Sequence, residues 1–164
     1  MKKIILCLTL VYSMVFLTAC PKETVLRRAA KASYSLSGLT VDVINATGKA
    51  YAAQLINLET KDRLARHLKT ISIGGERFNQ TLKRYAEEGT EIPADKLLIL
   101  NKIFSEEVVA PFLEVLNAIK LLSPEQSAYL NSAINGLRAA ILIISGAFTN
   151  AGIETNARRI ESYV

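Results

Sequence analysis

The sequence predicts an all-α fold: an antiparallel bundle of about four long helices, preceded by a cleaved N-terminal signal. Three observations lead there. Apolar residues recur at steps of three and four through the body, with no sustained alternation in twos. Of the four prolines, those at 21, 93 and 124 lie between the periodic runs, and only Pro111 falls inside one. With 164 residues, half of them apolar and 21% charged, the chain has the size and composition of one globular domain.

The first element is an address. Met1-Lys2-Lys3 is basic, Ile4 to Leu17 is apolar, and Leu17-Thr18-Ala19-Cys20 follows. A basic start, an apolar run and small residues before a cut site are the parts of a secretory signal. From Ile4 to Ala19 the run is 16 residues, short of the roughly 20 that a spanning helix needs. The four-residue ending resembles the lipobox of bacterial lipoproteins. That resemblance implies diacylglycerol on the Cys20 sulfur, cleavage between Ala19 and Cys20, and acylation of the new amino terminus. It divides the chain into a signal, residues 1–19, and a lipid-anchored helical domain, residues 20–164. The domain then keeps 145 residues and a formal charge of +3, against +5 for the whole chain. Cys7 leaves with the signal and Cys20 becomes a thioether, so the body has no disulfide and depends on packing.

Four amphipathic runs follow. In the first, Val25, Ala29, Ala32, Leu36, Leu39, Val43, Ala46, Ala50 and Ala53 advance in 4-3-4-3 steps. Leu64, Leu68, Ile71, Gly75, Phe78, Leu82 and Tyr85 form the second, and Leu97, Leu100, Phe104, Val108, Pro111, Val115 and Ile119 the third. In the fourth, Leu130, Ala133, Leu137, Ala140, Ile144, Ala147 and Ala151 alternate large with small. A turn is expected near residues 57–61, where the seam becomes polar; a single long helix bending at Gly74-Gly75 is the alternative. Gly89 stops the second run, and Pro93 suits a first helical position. Pro111 should kink the third helix and free a carbonyl one turn earlier. Ser123-Pro124-Glu125-Gln126 reads as a capping box that starts the fourth. The small residues of the first and fourth seams should let those two helices pack closely.

The functional reading is narrower. Lys22, Arg27, Arg28 and Lys31 follow the anchor directly, and basic side chains near an anionic leaflet each add about 1 kcal/mol of attraction. They are candidate membrane-surface contacts. The second run is basic, but Glu59 and Asp62 precede Arg63 and Arg66 by four residues, the order that favours helix salt links. No aromatic row interleaves these charges, so no nucleic-acid partner is expected. His67 is the only histidine, and the body has no cysteine ligands, phosphate loop or nucleophile elbow. No metal, cofactor or enzymatic activity is expected.

The stretch Ala139 to Phe148 is the most apolar of the body, and its ten residues are too few to span a bilayer. The expectation is a bacterial lipoprotein on the outer membrane or the outer face of the cytoplasmic membrane. It binds or scaffolds an envelope protein through an exposed helix face, while its covalent acyl chains engage membrane lipid. A membrane-inserting bundle and an unrecognised envelope enzyme are the alternatives.

Overall fold

The computed structural model describes the backbone of residues 22–88 and 92–161, and the side chains of the same residues apart from 22–28, 158 and 161. Every regular element among them is helical. Helix α1 is Lys22–Ala52 and α2 is Leu58–Glu88. A third run consists of α3, Ala94–Phe104, a π turn over Ser105–Val109, and α4, Ala110–Lys120. Helix α5 is Pro124–Asn150, and a single turn, α6, Arg158–Glu161, closes the described chain.

The runs alternate in direction. Leu36 meets Gly75 and Leu39 meets Gly136, while Gln126 Nε2 donates to the Leu55 carbonyl at the far end. The 31 residues of α1 and of α2, at about 1.5 Å each, give a bundle roughly 46 Å long. The all-α antiparallel bundle is therefore the fold of this chain. Helix α1 lies between α2 and α5 and packs along both, most extensively along α5.

The first turn comes earlier than the sequence suggests. Helix α1 ends at Ala52, and Ala53, placed on the seam by its spacing, is exposed. Gln54 takes φ 59°; its N–H donates to the Tyr51 carbonyl and that of Leu55 to the Ala50 carbonyl, each at 2.9 Å. This is the two-bond Schellman stop, with a left-handed residue just past the helix. Glycine or asparagine usually marks that position, and here glutamine conceals it. Asn57 then caps α2, its Oδ1 accepting from the Thr60 N–H at 2.8 Å. The left-handed conformation costs a non-glycine residue about 1–2 kcal/mol. Gln54→Gly should therefore raise stability by about 1 kcal/mol, or about 2–4 °C in Tm. An unchanged melting curve would show that the turn imposes no such strain.

Three other boundaries follow local chemistry. Pro93 stands at the N-cap of α3, one residue outside the first helical position expected for it. Ser123 and Gln126 form the expected capping box: Ser123 Oγ accepts from Gln126 N–H at 3.3 Å and Gln126 Oε1 accepts from Ser123 N–H at 2.9 Å. Gly152, at φ 80°, ends α5 with a second Schellman stop.

The core runs the length of the bundle. Phe78, Phe104 and Phe148 meet within it, toward the end of the bundle where α5 stops, with ring centroids 5.6, 5.8 and 6.1 Å apart. Along α1 the buried seam contains three hydroxyls, Ser33, Thr40 and Thr47, which the apolar spacing passes over. Thr40 and Thr47 donate to the carbonyls of Leu36 and Val43, four residues back. With their polar atoms satisfied in this way, they pack as valine would. Ala157 and Ile160 are fully buried at one end, so the segment after α5 folds back onto the core.

The third helical run meets Pro111 with a change in hydrogen-bond pattern. It absorbs Pro111 through the π turn, in which the Ala110 N–H reaches back to the Ser105 carbonyl. Against this turn lies Gly74: a Cβ built there would stand 2.5 Å from both the Cβ and the carbonyl oxygen of Glu107. Arg77, one turn along α2, closes an ion pair with Glu107 at 2.6 Å. The salt links expected from Glu59 to Arg63 and from Asp62 to Arg66 are not among the ion pairs of the described residues, which on α2 are Arg77–Glu107, Lys83–Glu87 and Lys96–Glu88. Exposed pairs of this kind gain about 0.2–1 kcal/mol against the entropy of fixing two long side chains, so sequence spacing alone does not close them.

Candidate functional site

The close packing of α1 against α5 leaves a groove on the outer side of the pair, of about 760 Å³. It arises from small residues. On α5, Gly136, Ala139, Ala140, Gly146 and Ala147 line it; on α1, Ala32 and Ser35 do so. Leu39 crosses its floor toward Gly136, where a Cβ would meet Leu39 Cδ2 at 3.1 Å. Ile143, half exposed, and Leu142 supply the larger apolar surface. At Gly146 a Cβ would meet nothing within 4 Å, so the groove is open there to a bulkier group.

Its electrostatics are simple. From Ala139 to Ile153, between Arg138 and Glu154, no ionisable residue occurs. Among the described residues the only charged group lining the groove is Lys31, and the other polar residues there are Ser35 and Asn150. Ser35 Oγ donates to the Ala32 carbonyl at 2.7 Å. Lys31 is exposed, and none of the ion pairs of the described residues includes it. Because α1 and α5 are antiparallel, Lys31, near the start of α1, and Asn150, the last residue of α5, mark the same end.

The residues singled out by sequence divide accordingly. Ala19 and Cys20 lie outside the described residues. Lys22, Arg27 and Arg28 fall in the first two turns of α1, and Lys31, the one member of the basic set whose side chain is described, lines the groove. His67 is half-buried on α2. Among the described residues no three of His, Cys, Asp and Glu come together to hold a metal ion.

Spacing found the inward seam of α5, but the groove needed the structure. Its signal is a second 3-4-3 stripe, Gly136, Ala139, Ile143 and Gly146, that faces away from the core.

Helix α5 also bears on the membrane question. Its ten most apolar residues are too few to cross a bilayer, but the whole helix is 27 residues long. By length and composition it is long and apolar enough to span a membrane, and less than half of its most apolar part is buried in the bundle. The objection from length applies to the ten-residue stretch and not to the helix. Core helices pass the same test.

Comparison with protein-family models, with curated proteins and with solved structures returns no match.

Proposed function

We propose that this chain is a bacterial lipoprotein, anchored through acyl chains on Cys20, whose helical bundle binds an envelope component without catalysing a reaction on it. Its place is the outer membrane or the outer face of the cytoplasmic membrane. The observation that carries the binding role is the α1–α5 groove: an apolar, nearly charge-free surface on the helix that directly follows the anchor. The anchor rests on the sequence of residues 1–20. Diacylglycerol with an amine-linked chain exceeds the two hydrophobic signals that stable membrane attachment takes. Attachment keeps the groove concentrated near membrane partners.

Two experiments address the two halves of this reading. Cys20→Ala should leave an uncleaved, unacylated precursor, seen as a slower band and a higher intact mass; normal maturation of that variant would remove the anchor. For the binding face, a photoreactive residue at Ile143 should form adducts with an envelope component in cells, and one at Arg66 on α2 should not. Equal yields from both positions would rule out the groove as the contact face.

The apolar length of α5 favours a second reading, insertion of that helix into a membrane. Release of dye from liposomes by the purified protein would support it over the binding role.

A further inference from the structure

The groove differs at its two ends. Lys31 and Asn150 stand at one, and toward the other the walls are Leu39, Gly136 and Ala139, with no charge. From Asn150 to Gly136 it follows 14 residues of α5, about 21 Å at the helical rise. One acyl chain reaches about half of a ~30 Å hydrocarbon core, roughly 15 Å. The groove therefore has room along its axis for one extended chain with a head group at the Lys31 end. Mostly apolar sites with a few polar groups at one point are typical of small-molecule binding.

We propose that the groove binds a free single-chain anionic amphiphile of the fatty-acid type. Its carboxylate is held by the Lys31 ammonium and the Asn150 amide, and its tail runs along Ala139 and Ile143 toward Leu39. This proposal rests on the groove being the binding face, and it names the ligand. Two features of the groove favour this occupant. The first is charge complementarity confined to one end: an amphipathic partner helix spreads its charges along its length, and beyond Lys31 the described lining of the groove offers nothing to pair with them. The second is reach. Lys22 is nine residues before Lys31 along α1, about 14 Å. A chain attached at Cys20 would spend nearly all of its ~15 Å length before entering.

The test uses the full-length protein in nanodiscs of zwitterionic lipid, with a diazirine-bearing palmitic acid as probe and a diazirine-bearing hexadecanol as its neutral control. After photolysis, adducts should map to Lys31–Leu39 and Gly136–Asn150. Gly146→Trp places an indole where a Cβ has open space; it should reduce the adducts about tenfold while the circular dichroism melt keeps its shape and midpoint. Lys31→Glu should reduce capture of the acid about tenfold and leave capture of the alcohol unchanged, because only the acid bears a charge for Lys31 to hold.

Adducts spread equally over α2, or yields that ignore Gly146→Trp, would overturn the proposal. So would labelling that appears only in the Cys20→Ala variant, which would mean that the protein's own acyl chain fills the groove. If palmitate fails to label but a photoreactive Ile143 still captures an envelope component in cells, the ligand is wrong and the binding face stands. If both fail, the binding face falls as well.

Discussion

Gly74→Ala should cost about 3 kcal/mol of stability, enough to lower Tm by about 6–12 °C. The same change at the next residue, Gly75→Ala, should raise stability by up to about 1 kcal/mol. The two glycines sit in one helix and differ in what their missing side chains would meet. At Gly75 a Cβ finds Leu36 Cβ at 3.5 Å, an ordinary contact, and alanine gains its better helix propensity. At Gly74 a Cβ would stand 2.5 Å from the Glu107 carbonyl oxygen and 2.8 Å from its carbon. Those are backbone atoms, and they are fixed by the next turn of helix. Pro111 has no N–H for the Glu107 carbonyl four residues earlier, and the π turn accommodates the proline by presenting that carbonyl to α2. Only a residue without a side chain lets α2 pass. Chemical denaturation of the pair would decide the matter: equal small effects at both positions would mean that the π turn moves freely away from α2.

Phe104→Ala should cost about 3–5 kcal/mol, the range for emptying a fully buried aromatic site. Phe104 touches both other rings of the aromatic trio, Phe78 on α2 and Phe148 on α5. No other side chain of the third helical run makes such a ring contact among the described residues. Its loss opens a cavity in the core of a chain that has no disulfide among its described residues to limit the damage. The partners should also be coupled. Combined with Phe148→Ala, the double variant should fall short of the summed single losses by about 0.5–1.5 kcal/mol, the scale of a favourable ring pair. Strict additivity would show that the rings act only as separate filler.

How much of this was legible beforehand depended on which signals were local. The start of α5 was readable because serine, proline and glutamine occupy all three positions of its cap. The closeness of α1 and α5 was readable because alanines recur on both seams. The end of α1 was hidden by Gln54, a left-handed residue without the glycine that announces one. Thr40 and Thr47 were hidden because a hydroxyl bonded to its own helix is polar in the sequence and apolar in its packing, and Ser33 because its hydroxyl finds Asn79 on the neighbouring α2. The π turn was half visible: Pro111 marked the disturbance, but nothing local announced that Gly74, thirty-seven residues away, would pack against it. The candidate site divides in the same way. Lys31 could be named from its distance to Cys20, whereas the groove it enters exists only once Gly136 and Gly146 lie beside Ser35 and Leu39.

Whether the bundle is held to a membrane through Cys20 is read from the mass of the amino-terminal peptide. Protein extracted from the membranes of cells that make it, digested and measured intact at its amino terminus, should begin at Cys20 and carry the added mass of diacylglycerol and an amide-linked acyl chain. A peptide that begins at Met1, or one that begins at or after Cys20 with no lipid on the cysteine, would contradict the account.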